Sequence, residues 1–250
     1  MRRVAIFTEG QSALIFVRNL LLLIIDNSVL SFQCLKLLSD REHDVPYTYG
    51  NPNPSVHFLI VDVGNDSKVL SAIKDREKFL VNKGYEKIIG LRDMYSADYD
   101  KRSPRVINDQ VSRQFIEGSN KIIQTMTHPD KIMMCFSIME LEAWFLSMYT
   151  IFRKINLAVS VEYIESQLGI NLKTIDPQKT FYKPSVQLKK VLNLCGIHYK
   201  KSEHDVEMIT SEMEPSDFEV AIENGRCENF RFFYHQLRAY DSSNFQGAIQ

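Results

Sequence analysis

Arg3-Val4-Ala5-Ile6-Phe7-Thr8-Glu9-Gly10 is the stretch on which the reading of this chain turns. Its apolar run reads as a buried strand, its acid and glycine as the end of that strand, and Leu14 to Ile25 as the helix that follows. A strand that delivers a carboxylate at its C-terminal end, then a glycine and a helix, is how open α/β sheets build sites for metals and phosphates. Two further runs repeat the pattern. Val56 to Val61 ends at Asp62, and Lys87 to Arg92 ends at Asp93. A fourth run, Lys131 to Ser137, leads into Glu140 and Glu142. Because strand ends lie side by side along one edge of a parallel sheet, the expectation is one acidic edge assembled from four segments.

Working outward, the first 150 residues alternate strand and helix, the pattern of βαβ units and a parallel sheet. Ser31 to Leu37 reads as a short second strand. The polar stretch Ser39 to Ser55, with Pro46, Gly50, Pro52 and Pro54, reads as turns. Asp66 or Ser67 is placed to cap a helix over 68–82 that Gly84 stops. Helices are expected over 104–124 and from Glu140 to Phe152. Beyond about residue 150 the pattern becomes helical: Val161 to Leu168 with Ser160 as cap, Pro184 to Leu194, Ser202 to Met213 and Ser216 to Tyr240. A strand fragment near Ile170 to Ile175 is the exception, and Asp241 to Gln250 reads as a frayed end. The expected fold is α/β, a mostly parallel sheet of four to five strands flanked by helices over 1–150, with a helical part over 151–250 packed on or capping the site.

Composition bounds the function. An apolar fraction of 44% supplies a core, and a formal net charge of −1 excludes a global basic field for nucleic acid or membranes. Local patches remain: Arg92, Lys101, Arg102 and Arg105 around Asp93, and Lys179, Lys183, Lys189, Lys190, Lys200 and Lys201 further on. They suit a phosphate backbone and equally a solvated surface. Cys34, Cys135, Cys195 and Cys227 are scattered without a C-x-x-C pair, which disfavours a disulfide framework or zinc knuckle and fits a reducing cytoplasm. The apolar N-terminal stretch is broken by Glu9, Gln11, Arg18 and Asn19, so it reads as a βα unit and neither a signal peptide nor a span. G-x-x-x-x-G-K-[ST], G-x-G-x-x-G and H-E-x-x-H are absent, which disfavours standard nucleotide loops and a zinc hydrolase.

Phe7-Thr8-Glu9-Gly10 resembles the V-E-G start of TOPRIM domains, which place a Glu after their first strand and Asp-rich motifs after a later one. The whole chain is similar to a bacterial family of uncharacterised TOPRIM-like proteins. That family runs V-E-G-x-T-E, F-V-R-x-L-L, V-D-x-Y-G, H-E-F-E-A-L-L, Y-D-K-x-x-H and C-P-H-F in order. The counterparts here are Thr8 to Ala13, Phe16 to Leu21, Arg92 to Ser96, Met139 to Leu146, Tyr199 to His204 and Cys227 to Phe230. The departures are Ala13 for the second Glu of the start, Met139 for His and Ser96 for Gly.

The resemblance implies a magnesium- or manganese-dependent nuclease acting on DNA or RNA, of the kind that works beside an ATPase encoded nearby in defence against phage. It implies Glu9, Asp93 and Glu140 as catalytic and metal-binding acids, with Glu142 and Asp62 as further candidates. Lys201 and His204 are further catalytic candidates, Lys201 to neutralise a phosphate and His204 to contact substrate or protonate a leaving group, and Gly10, Arg92 and Tyr95 are candidate substrate contacts. Read from the residues alone, a lone strand-end Asp such as Asp62 is more often a cap or surface charge. Glu140 and Glu142 point about 200° apart if both are helical, which favours Glu140 as ligand and Glu142 as ion-pair partner. Lys201 and His204, three apart, would share a helical face. Trp144, Phe145 and Cys227 read as core. The alternative is a catalytically inactive TOPRIM-like binding subunit of a partner complex, motivated by Ala13 and by Tyr95 where a second Asp would stand.

Overall fold

The computed structural model describes residues 1–39 and 41–241. The chain forms two compact units, one of residues 1–92, 113–136 and 234–250, the other of 93–112 and 137–233. They are not the consecutive pieces 1–150 and 151–250 expected from the sequence. The chain passes between the units four times, at strand ends (Arg92/Asp93 and Phe136/Ser137) and within two helices (Ser112/Arg113 and Phe233/Tyr234).

The first unit carries the sheet. Its strands are β1 (Arg2–Thr8), β2 (Leu30–Leu38), β3 (Arg41–Asp44), β4 (Tyr49–Gly50), β5 (Val56–Asp62), β6 (Lys87–Asp93) and β7 (Ile132–Ser137). Their order is β3-β2-β5-β1-β6-β7, with β4 also pairing β2. β1 is parallel to β5 and β6, and β2 is parallel to β5. The sheet thus has seven strands where four to five were expected. The surplus is β3 and β4, antiparallel to β2, in the stretch read as turns. Arg41-Glu42-His43-Asp44 is exposed along its whole length. Such a charged edge has no apolar alternation to betray it, and it discourages pairing with another chain.

The apolar runs of β1 and β5 are buried on both faces, as parallel strands with helices on both sides must be. Register fixes the faces. Ala5 pairs Leu59 and Phe7 pairs Val61, while Leu59 pairs Gln33 and Val61 pairs Leu35. This face meets Ile73 and Leu80 of α2 (Val69–Asn82) in a core that includes Tyr85, Ile123 and Ile132. The alternate residues Val4, Ile6, Phe58 and Ile60 are fully buried. α1 (Gln11–Ile24) packs on β1 and β5 with eight buried side chains. Gly84, at φ 84°, ends the α2 segment in a conformation that a side chain resists. Gly90 leaves room for Met134: a Cβ there would stand 2.2 Å from the Met134 sulfur, so that side chain would have to shift.

The second unit holds helices and loops, and no strand follows Ser137 among the described residues. The expected fragment at 170–175 forms turns. α3 (Ala97–Arg102) and α4 (Asp109–Ile123) replace a helix expected over 104–124. Pro104 and Arg105, the latter at φ 57°, separate them, and Asn108 caps α4 by accepting from the N–H groups of Gln110 and Val111. The helix expected from Glu140 to Phe152 is two pieces, α5 (Glu142–Ser147) and α6 (Ile151–Ile155). α7 (Val161–Leu168), capped by Ser160, and α9 (Pro184–Leu194) stand where they were expected, with α8 (Pro177–Thr180) between them. α10 (Glu203–Ser211) follows Ser202. The last long helix divides into α11 (Pro215–Ile222) and α12 (Glu228–Arg238), because Gly225 and Cys227 take positive φ between them. The core here is aromatic: Trp144 is fully buried with Phe230 and Phe233 centroids 5.2 and 5.7 Å away. All four cysteines are buried and free. No helix among the described residues is long and apolar enough to cross a membrane. The expected fraying of the C-terminus falls on residues 242–250, outside the described residues.

Candidate functional site: an acid–lysine cluster in the second unit

Asp93, the last residue of β6, is 8% exposed. Its Oδ1 accepts from the Ser137 hydroxyl and, at 2.8 Å, from the Leu141 N–H. The backbone holds the same loops together: Met94 N–H donates to Ser137 C=O and Tyr95 N–H to Met139 C=O. The strand ends at Ser137, so Glu140 lies in a turn and Glu142 opens α5. The turn is bent by Met139, a fully buried residue at φ 66°. Left-handed backbone at a bulky residue is costly and persists where surrounding structure imposes it.

Glu140 and Glu142 go to different partners. Glu140 Oε2 accepts from the Ser185 N–H at 2.8 Å. It thereby supplies to α9 the cap that Lys183, at the N-cap, does not make with its own side chain. Glu142 is 1% exposed, and its Oε1 lies 3.0 Å from both the Tyr199 hydroxyl and the Lys201 ammonium. Lys201 also reaches Oε2 at 3.3 Å. The ion-pair role expected of Glu142 is therefore present.

Lys201 is aimed by its backbone. It sits at φ 62°, and the N–H groups flanking it, of Lys200 and Ser202, both donate to Asp205. Ser202 caps α10, so the helix begins after Lys201. Lys201 and His204 accordingly do not share a helical face. His204 is exposed on the first turn of α10, and among the described residues no hydrogen bond or ion pair joins it to Asp93, Glu140, Glu142 or Lys201.

Electrostatics follow from this geometry. Burial works against the Lys201 charge, but the carboxylates of Glu142, then Asp93, then Glu140 outweigh it and hold its ammonium above the ordinary lysine range. Burial, followed by the Glu142 charge, pushes the Tyr199 hydroxyl far up, so it stays a hydrogen-bond donor. Three carboxylates against one ammonium leave the cluster a formal charge of −2. Beside it, Tyr95 makes an edge contact with Tyr182 at 5.8 Å, and Lys183 Nζ lies 5.8 Å from the Tyr95 centroid. Tyr182 donates to Asp100.

The structure thus gathers Asp93, Glu140, Glu142 and Lys201 in one unit. Glu9, Gly10, Asp62 and Arg92 belong to the other. Glu9 follows β1, and Asp62 ends β5 as the register partner of Thr8. Asp62 is 3% exposed, accepts from the Gly64 N–H and lies 3.9 Å from Lys36; burial raises its carboxyl above the usual range. Gly10 is extended, at φ −171°, with open space about the position of a Cβ, so local packing does not demand a glycine. Arg92 lies 5.9 Å over the Phe136 ring. Trp144 and Phe145 are core, as expected. The sequence reading assigned no role to Ser137, Ser185 or Tyr199. Tyr199 alone had a signal, its place two residues before Lys201 in the Y-x-K segment.

Among the described residues no three His, Cys, Asp or Glu side chains are grouped to hold a metal ion by themselves. Magnesium does not require such a group, since it keeps several waters and is commonly held by one or two carboxylates plus substrate phosphates. The donors in the cluster are carboxylate oxygens, the hard ligands this ion prefers, and the charge of −2 is that of its complement. Asp93 and Glu140 fit by this chemistry, while Glu142 is committed to Lys201 and Tyr199. The chain matches no family model, no curated protein and no solved structure.

Proposed function

We propose that this protein is a divalent-metal-dependent nuclease of TOPRIM-like type, hydrolysing phosphodiester bonds of DNA or RNA at the cluster of the second unit. One observation carries the reading: acids from the end of β6, from the turn after β7 and from the start of α5 bear on a single lysine with an excess of two negative charges. In this reading Asp93 and Glu140 hold the ion, which supplies a polarised phosphoryl oxygen and an acidified water. Lys201 binds the phosphate. Its ammonium has three donors and contacts both oxygens of Glu142, and the side chain as a whole remains 41% exposed. Glu142 and Tyr199 fix where that ammonium stands, and Asp205 fixes the loop that carries it. The edge-on Tyr95–Tyr182 pair with Lys183 offers a surface on which a base can stack. The setting beside an ATPase in phage defence belongs to the same proposal and rests on the resemblance alone.

A second reading has its own support. All three carboxylates already accept hydrogen bonds from the chain, as expected of a site that is structurally complete without metal. The protein would then be a binding subunit that never cuts. The test is cleavage of plasmid, single-stranded DNA and total RNA with manganese or magnesium, wild type beside Glu140→Gln and Lys201→Met. Cutting lost in both variants, with folding intact, supports the nuclease. Nucleic-acid binding without cutting, weakened in Lys201→Met, selects the binding subunit. Cutting that survives both substitutions removes the cluster from the chemistry.

A further inference from the structure

The first unit contains a cavity of about 400 Å³ that the proposed function does not use. Its floor is the α2 face of the sheet: Phe7, Leu35, Leu59 and Val61, with Leu80 of α2. Register makes this floor continuous, since Leu35 pairs Val61 and Val61 pairs Phe7. On the opposite face of the same strands Phe32, Cys34, Phe58 and Ile60 are at most 1% exposed, whereas Leu35 and Leu59 retain 6% and 8%. Both faces of the sheet are therefore buried, and on the α2 side the cavity reaches the margin of that core at Leu35 and Leu59. Tyr85, whose hydroxyl has no hydrogen-bond partner among the described residues, lines the cavity, as does the exposed ring of Phe79.

The rim is polar and unevenly neutralised. Its acids are engaged: Glu42 faces Arg76 at 3.6 Å, and Asp44 accepts from Gln33 at 3.1 Å. Its other cations meet no carboxylate at ion-pair distance among the described residues. Arg3 donates to the Lys83 carbonyl at 2.8 Å, and Lys83 Nζ lies 5.6 Å from the Phe79 ring. Two positive groups without an acidic partner thus stand over an apolar and aromatic floor, in a volume typical of small-molecule sites. From this cavity we infer that the first unit binds a small aromatic molecule carrying an anionic group, its ring against Leu35, Leu59, Tyr85 and Phe79 and its anion at Arg3 and Lys83. Burying a ring there removes the exposed Phe79 side chain from water, and an anion between two cations makes charge-assisted hydrogen bonds. The site is independent of the acid–lysine cluster and stands whether or not the protein cuts nucleic acid.

The probe is 1-anilinonaphthalene-8-sulfonate, an aromatic anion, titrated by fluorescence against the full chain beside the uncharged N-phenyl-1-naphthylamine. The expected result is saturable 1:1 binding of the anion, about tenfold tighter than of the neutral ring. In R3Q/K83Q that preference disappears while the binding of the neutral probe and the thermal midpoint hold. Equal affinity of the two probes for wild type overturns the inference, as does an anion affinity unchanged in R3Q/K83Q. Competition by adenosine monophosphate assigns the natural head group as phosphate, and competition by indole-3-carboxylate assigns it as carboxylate. Displacement by neither overturns the inference.

Discussion

The two units treat their buried acids differently. In the first, Asp62 and Glu77 lie within an apolar framework and serve turns: Asp62 accepts from Gly64, and Glu77 of α2 accepts from Thr127 at 2.7 Å and His128 at 3.2 Å. In the second, buried acids gather at helix starts. Asp205 completes the capping box of α10. Asp217 does the same for α11 while binding Lys154 at 2.7 Å and the Thr150 hydroxyl. Glu142 also stands in a first turn, as the first residue of α5 and not the third as Asp205 and Asp217 are, and it caps nothing; its oxygens go to Tyr199 and Lys201. That contrast separates it from the structural acids. A buried acid at a helix start is by default a cap, and one whose bonds lead away from its own helix is held for something else.

The comparison can be broken most forcefully in the cores. Trp144→Ala in the second unit and Phe58→Ala in the first are each expected to cost about 3–5 kcal/mol, read from urea unfolding. A cost below about 1 kcal/mol at either position would show that its aromatic packing is not what holds that unit.

A smaller effect sharpens the claim about Glu142. Glu142→Gln leaves the Lys201 charge without its counter-ion, but Lys201 is 41% exposed and water offsets part of the loss. The expected destabilisation is about 1–2 kcal/mol. Glu142→Gln/Lys201→Met should recover part of it, since neither charge then remains. A double variant less stable than the sum of the singles would remove the pair from the account.

Next comes the cap itself. Burial raises the Asp205 carboxyl, but the N–H groups of Lys200 and Ser202 outweigh it and hold it below the ordinary aspartate range. A carboxyl lowered in the folded state stabilises above its unfolded pKa, and that contribution is lost as pH falls through the lower folded value. Asp205→Asn should therefore cost about 1 kcal/mol at pH 7 and progressively less as pH falls below about 4. Equal loss at pH 7 and pH 3 would assign the cost to packing. Least perturbing is thiol labelling. Burial pushes Cys34 and Cys135 up to about 12 and Cys195 up to about 11. The native protein should resist Ellman's reagent at pH 8, and the urea-unfolded chain should release four equivalents. Rapid reaction of one native thiol would mark a local opening.

How much was legible follows the same division. Strand runs that are apolar on both faces announce themselves, so β1, β5, β6 and β7 were readable to within a residue or two. α7 and α9 were readable from Ser160, Pro184 and their apolar spacing. The hidden elements are those stabilised by pairing or backbone geometry instead of burial. β3 is exposed and charged, and the breaks at Arg105, Met139 and Cys227 are positive-φ positions occupied by residues that carry no such signal.

By itself the sequence determined the α/β class, the parallel core strands and the acids Asp93, Glu140 and Glu142 at strand ends or just beyond them. Strand burial and helix capping are short-range properties of residue type and spacing, which is why they can be read in one dimension. Only the tertiary structure decided that Lys201 pairs Glu142, that Glu140 caps α9, that Glu9 and Asp62 belong to a different unit, and that a cavity remains between the sheet and α2. Those outcomes depend on contacts between residues as much as 59 positions apart and on left-handed backbone at Met139 and Lys201, neither of which local sequence preference encodes.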